Sequence, residues 1–186
     1  MASTDVRKHG SAFSKSVLRD GCFFGIGNPL LDISAQVDPE IMRNYNLRPA
    51  AENDGLTTAY QVNPNLSTGK CAMLLTPNSR AMVTSLGASE EFSVKQLVNS
   101  DWAYIEKAQI ICSEDYFIGS SPEAFLKVAQ YAHSEQKTFC MTLSAKFIAG
   151  KRLGGWLLCA LQYADFVFGY EEATKVFGRT HLDVEV

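Results

Sequence analysis

No apolar run in this sequence approaches the roughly 20 residues that a membrane-spanning helix needs. There is no C-x-x-C pair, and none of Cys22, Cys71, Cys112, Cys140 and Cys159 sits at zinc-finger spacing from His9, His133 or His181. An odd number of widely spaced cysteines points to buried free thiols in a reducing compartment, the cytoplasm or the nucleus. The N-terminus has no apolar core of the kind a secretory signal requires, and Asp5 and Asp20 interrupt any transit-peptide pattern. Residues 1–20 are expected to be a disordered tail. Neither charge dominates: 17 Lys and Arg face 20 Asp and Glu, for a net charge of −3. Affinity for nucleic acid comes mostly from clustered Lys and Arg, so no nucleic-acid partner is expected. Internal repeats and low-complexity stretches are also missing.

What is present is ordinary globular composition. The chain has 186 residues, 46% hydrophobic and 20% charged, enough to bury a core without disulfide or metal staples. Cys22–Ile26 reads as a buried strand running into the Gly25-Ile26-Gly27 turn. Ile33–Val37 alternates like a half-buried strand, and Pro39–Tyr45 reads as a short helix. Arg48–Gly69 is the least regular stretch, with a β-rich piece at Leu56–Val62. Cys71–Leu75 and Ala81–Leu86 read as a hairpin around Pro77-Asn78-Ser79.

From Ser93, a predicted cap, the period changes to helical. Strands are expected at Ile110–Cys112, Thr138–Leu143 and Phe166–Phe168. Helices are expected after Ser121-Pro122, over Leu153–Leu161 and from Glu171 to Val176. Strand and helix in alternation imply βαβ units and a parallel sheet. The expected architecture is α/β: a Rossmann-type sheet preceded by a β-rich insertion within about residues 33–90, with the α/β core resuming near residue 93.

Several motifs invite a chemical reading. Gly25-Ile26-Gly27 lacks the third glycine of a dinucleotide fingerprint, because Leu30 stands there, and Pro29 disturbs the helix start. Two readings of that turn stay open. It is a tight turn with a helix cap, or it brings backbone, Asn28 and Asp32 close to sugar hydroxyls. Ser67-Thr68-Gly69-Lys70 lacks the first P-loop glycine and precedes a strand, so Lys70 reads as a solvated strand residue. Arg80, beside a turn, is either a surface residue or an anion contact. Gly154-Gly155 reads as a packing feature. His133 reads as exposed, with no nucleophile partner.

Gly25-Ile26-Gly27-Asn28-Pro29-Leu30-Leu31-Asp32-Ile33-Ser34 resembles the opening motif of the adenosine kinases, a branch of the ribokinase-like (PfkB) carbohydrate kinase family. The resemblance continues through Thr68–Ala72, Asn78-Ser79-Arg80, Tyr116-Phe117, Ser121-Pro122-Glu123, Leu143-Ser144-Ala145 with Phe147-Ile148, and Ala164–Gly169. It implies a partial ribokinase-like three-layer fold over residues 21–186, with a small β-lid. The implied reaction is phosphorylation of the 5′-hydroxyl of adenosine by ATP with Mg²⁺, giving AMP in purine salvage. By position, Asn28 and Asp32 are implied to be substrate-binding residues of the opening motif, with Asp32 on the ribose hydroxyls. Leu30, Met82, Thr84, Leu86 and Phe117 are implied to line the adenine pocket, and Arg80 to approach the transferring phosphate.

The chain also departs from the family pattern. Pro49-Ala50 joins two parts that are normally several dozen residues apart, so the Gly-Gly-x-x-x-Asn ribose signature is missing. The Asn-x-x-Glu that orders Mg²⁺ and phosphate reads Gly169-Tyr170-Glu171-Glu172-Ala173 here, leaving Glu171 and Glu172 as partial substitutes. The chain stops before the segment carrying the family's catalytic Asp, so no catalytic residue is assigned. Three expectations follow: a monomeric adenosine-phosphorylating enzyme, an inactive splice or gene-model fragment that binds nucleoside or a partner weakly, or a chain that does not fold stably because strand edges and apolar helix faces are left exposed.

Overall fold

The computed structural model describes residues 21–28, 31–33, 56–76, 79–150 and 152–184. The expected tail over 1–20, most of the strand expected at Ile33–Val37, the helix expected at Pro39–Tyr45, and the Pro77-Asn78 turn lie outside the described residues.

Four strands form a parallel sheet in the order β1-β5-β6-β7: β1 (Phe23–Ile26), β5 (Ile110–Ser113), β6 (Thr138–Leu143) and β7 (Phe166–Gly169). The register runs Gly25↔Cys112, Cys112↔Cys140 and Cys140↔Phe166 in one row across all four strands. Between them lie α3 (Tyr116–Ser120), α4 (Pro122–Ser134), α5 (Lys146–Ala149) and α6 (Gly154–Leu161), and α7 (Glu171–Phe177) follows β7. This is an α/β fold with a parallel sheet, as the alternating periods predict.

The helices follow from sequence. In α4 the buried Ala124, Phe125, Val128, Ala129 and Ala132 form one stripe at helical spacing. Ser121 stands at its N-cap and Pro122 opens the first turn, but the serine side chain makes no cap bond. Helices α1 (Val94–Gln96) and α2 (Trp102–Lys107) are joined by a π-type turn over Leu97–Asp101. Lys137 anchors the end of α2 by donating from Nζ to the carbonyls of Glu106 (2.8 Å) and Ala108 (2.6 Å), where the helix dipole is negative.

The core is one cluster. Phe139, Met141 and Leu143 of β6 and Ile111 of β5 meet Phe125, Val128 and Ala132 of α4, together with Leu157, Ala173 and Phe177. The Phe125 ring stands edge-on to Phe139, with centroids 5.9 Å apart. Of the three layers expected, the sheet and one helical layer lie among the described residues. The opposite sheet face carries the exposed Phe23, Phe166 and Phe168. The thiols do not all follow the expectation of burial. Cys71 and Cys140 are buried and Cys22 and Cys112 half-buried, whereas Cys159 is exposed on α6, two residues past the inward-facing Leu157. Burial pushes the Cys112 and Cys140 thiols above their ordinary pKa, aided by Glu114 for the first and by Cys112 and Asp165 for the second.

A second sheet, order β2-β3-β4, joins β2 (Leu31–Ile33) in parallel to β3 (Lys70–Thr76), which pairs antiparallel with β4 (Ser79–Ser85). The hairpin expected from the sequence is present, and Lys70 is exposed at its start. The β-rich reading of Leu56–Val62 is corrected: these residues form no strand. β-propensity needs a partner strand, and here side chains hold the segment instead. Gln61 donates from Nε2 to the Glu91 carbonyl (2.7 Å) and accepts from the Ser93 N–H at Oε1 (2.8 Å). Gly87, just past β4, has φ +53°, and a Cβ there would run into the Ser67 carbonyl, so a glycine is required. The packing reading of Gly154 holds as well. The His181 ring fills the space of a Cβ and lies 3.0 Å from the Ala149 carbonyl through Nε2.

Candidate nucleoside site at the carboxyl ends of the strands

In open α/β sheets ligands bind beyond the carboxyl ends of the strands, where loops from neighbouring strands converge. Here β1 leads to Gly27-Asn28, β5 to Glu114-Asp115-Tyr116, β6 to Ser144-Ala145 and β7 to Tyr170-Glu171-Glu172. Three connections tie these loops together.

The first is centred on Asn28. Its backbone N–H donates to Glu114 Oε1 at 2.7 Å. Its side-chain Nδ2 donates to Ser120 Oγ (2.7 Å) and to the Tyr116 carbonyl (3.3 Å). A carbonyl only accepts, so this pairing fixes the amide orientation, and among the described residues Oδ1 has no hydrogen-bond partner. Asn28 therefore offers an acceptor, the right partner for a sugar hydroxyl.

The second is centred on Asp115, which is fully buried. Its Oδ2 accepts the N–H groups of Ser144 (2.7 Å) and Ala145 (2.9 Å), and its Oδ1 accepts from Thr142 Oγ1 (3.2 Å). The Asp115 N–H donates in turn to Thr142 Oγ1 at 3.1 Å. This acid is consumed by the fold, and it pins the loop after β5 to the loop after β6.

The third is the outer rim. Tyr116 meets Phe147 edge-on at 5.8 Å, and Phe147 and Tyr170 are 66% and 70% exposed. Lys146 pairs with Glu172 at 2.9 Å and Lys175 with Glu171 at 2.6 Å. The Lys146 hydrogen bond and charge hold the Glu172 carboxyl below the usual range. Burial, with Asp115, Glu114 and Tyr170 nearby, raises the Tyr116 hydroxyl.

The residues implied by resemblance are placed as follows. Leu30 lies outside the described residues. Asp32 lies on β2, paired by backbone with Cys71, and Arg80 on β4, paired with Leu75. Met82 and Thr84 sit two apart on β4, both exposed, with Thr84 Oγ1 3.6 Å from Cys71 Sγ. Leu86 is half-buried just past that strand.

Phe117 is the exception. It is 0% exposed, its ring edge-on to Phe92 at 4.9 Å inside the core, and Tyr116 is the aromatic at the rim. Glu171 and Glu172 each engage a lysine. Among the described residues no group of three His, Cys, Asp or Glu could hold a metal ion.

Sequence reasoning passed over Glu114 and Asp115. The available signal was an acidic pair directly after the apolar strand Ile110–Ser113, where a strand's carboxyl end meets a loop. Burial raises the Glu114 carboxyl above its ordinary value, opposed by the Asn28 N–H and reinforced by Asp115. A raised carboxyl holds its proton more readily in the folded chain than in the unfolded one. Its cost to stability is absent below the ordinary value, about 4.3, and grows as pH rises through the folded value. The wild type should therefore lose stability relative to Glu114→Gln as pH rises from about 4 toward neutrality. Urea midpoints at several pH values check this, and a pH-independent difference would refute it.

An open four-stranded parallel sheet whose loops converge at the carboxyl ends, together with a separate three-stranded sheet, defines an α/β domain. The model of the pfkB family of carbohydrate kinases matches residues 44–186, and the chain belongs to that family. It is 32% identical to adenosine kinase of Schizosaccharomyces pombe, a match covering 70% of this chain and 39% of that protein. It is 25% identical to adenosine kinase 2 of Arabidopsis thaliana, covering 87% of this chain and 66% of the relative. That second alignment runs over 228 positions, more than this chain contains, so the relative carries positions that have no counterpart here. Adenosine kinase from Schistosoma mansoni, solved in complex with 2-fluoroadenosine, superposes with a TM-score of 0.76 at 26% identity, covering 90% of this chain and 68% of that one. The chain thus spans between 30% and 66% of the length of the curated relatives it matches.

Proposed function

We propose that this chain is the nucleoside-binding part of an adenosine kinase, with adenosine as substrate, ATP as phosphoryl donor carried as its magnesium complex, and AMP as product in purine salvage. The observation that carries the reading is Asn28. It is held by three hydrogen bonds at the carboxyl end of β1, and its side-chain acceptor Oδ1, without a partner among the described residues, suits a sugar hydroxyl. Family membership and the adenosine kinases among the relatives support it. In this reading Asp32 acts with Asn28 on the ribose. Met82, Thr84 and Leu86 border the base, Arg80 approaches the transferring phosphate, and the chain acts as a monomer in the cytoplasm or nucleus.

Phosphoryl transfer relies on positioning and on electrostatic stabilisation, with one group orienting the attacking hydroxyl. The described strand ends supply positioning. Their acids are committed elsewhere: Asp115 to three hydrogen bonds, Glu114 to Asn28, and Glu171 and Glu172 to lysines. That observation favours a second reading, nucleoside binding without transfer, since the loss of a general base costs about 10²–10⁴-fold.

One experiment separates the two. The purified chain is titrated with adenosine by calorimetry and assayed for ATP-dependent conversion of adenosine to AMP, with Asp32→Ala as control. Binding and turnover that both vanish in the control establish the kinase. Binding that vanishes in the control, with no turnover, establishes the binding reading. A folded chain that binds no adenosine overturns both.

A further inference from the structure

We infer that Glu114 is a positioning residue for the nucleoside: its carboxylate sets the turn on which Asn28 presents its free acceptor. The inference rests on the proposed function and deepens it.

Three observations carry it. The Glu114 Oε1 bond to the Asn28 N–H is 2.7 Å, at the short end for a charge-assisted hydrogen bond. The carboxylate reaches that N–H through space that only a glycine leaves open. A Cβ on Gly27 would lie 2.5 Å from Glu114 Oε1 and 2.8 Å from its carboxyl carbon. Gly27 and Glu114 thus act as a pair: one leaves the space and the other fills it. The same short segment then supplies Ser120 Oγ and the Tyr116 carbonyl to the Asn28 amide. Backbone and side chain of Asn28 are therefore both held from the loop and helix that follow β5, and among the described residues Glu114 alone holds the backbone N–H.

Glu114 is no catalytic residue in this account. It touches Asn28, and it acts on a ligand only through Asn28. Removing its carboxylate frees the Asn28 N–H and lets the turn rotate, so the acceptor is no longer presented in one orientation. Glutamine keeps an oxygen in the same place without the charge.

The test uses the full chain, calorimetric titration with adenosine, and the Asn28 amide signal in nuclear magnetic resonance. Glu114→Ala should weaken adenosine binding roughly tenfold, the loss typical of a hydrogen bond to a charged group. It should also move the Asn28 amide proton upfield and speed its exchange by at least as much. Glu114→Gln should recover affinity to within a few-fold and restore most of the amide shift, which keeps the test open if the alanine variant folds poorly. An Asn28 amide unchanged in Glu114→Ala overturns the inference whatever the chain binds. Unchanged affinity in Glu114→Ala, alongside binding lost in Asp32→Ala, overturns it while leaving the proposed function standing. A wild type that binds no adenosine overturns the proposed function, and with it the part given to Glu114 in nucleoside binding.

Discussion

Asp115→Ala should lower the unfolding free energy by about 3–5 kcal/mol, a large fraction of the 5–15 kcal/mol that holds a typical domain together. The acid is fully buried and accepts from two backbone N–H groups and one hydroxyl. Alanine removes every acceptor at once and strands the N–H groups of Ser144 and Ala145 away from water. Each stranded donor costs about 1–3 kcal/mol. Asn in the same place keeps one acceptor oxygen, so Asp115→Asn should lose roughly half as much. Urea unfolding followed by circular dichroism measures both. A loss below about 1 kcal/mol for the alanine variant would sink the account. The damage should be structural first: the loops after β5 and β6 lose their common anchor, and Tyr116 and Phe147 lose their alignment with it.

Phe117→Ala is the second large effect, also about 3–5 kcal/mol, the usual range for emptying a buried phenylalanine site. The ring stands edge-on to Phe92 and contacts Phe125 at 6.5 Å, with no exposed surface. This prediction separates two roles for the residue. A pocket-lining ring would lose adenosine affinity at nearly constant stability. A core ring loses stability, and the fraction still folded binds as before. Melting curves with and without adenosine, for Phe117→Ala beside Tyr116→Ala, distinguish the two. Affinity lost in the Phe117 variant at unchanged melting temperature would return that ring to the pocket.

The reach of the sequence differs from element to element for physical reasons. Strands β5, β6 and β7 are short apolar runs between turn residues, and α4 shows an unbroken stripe at helical spacing behind Ser121-Pro122. Local pattern and tertiary burial agree there, so the parallel sheet was legible. Leu56–Val62 has the composition of a strand, but pairing is a long-range event, and Gln61 ties that stretch to Glu91 and Ser93 instead. Tyr116-Phe117 is a pair of adjacent rings, and nothing local says which faces inward. The register of the five-residue helix α3 decides it. Asp115 was invisible because its partners are backbone groups some thirty residues on, and backbone donors leave no mark in a sequence. Asn28 was legible as a residue, from the motif. Its orientation was not, because Glu114, Tyr116 and Ser120 set it from the far side of the second sheet's insertion.

Strand β1 pairs with β5 in a register that joins Phe23 to Ile110, so everything between them, the second sheet included, is topologically one long closed loop. The entropy of closing such a loop grows only with the logarithm of its length, and doubling the length costs about 0.6 kcal/mol. In closure entropy, lengthening or shortening this stretch is therefore nearly free for the sheet it interrupts. The freedom belongs to the part of the loop between β2 and β3, because Leu97, Ile105 and Ala108, further along the same loop, are members of the core cluster.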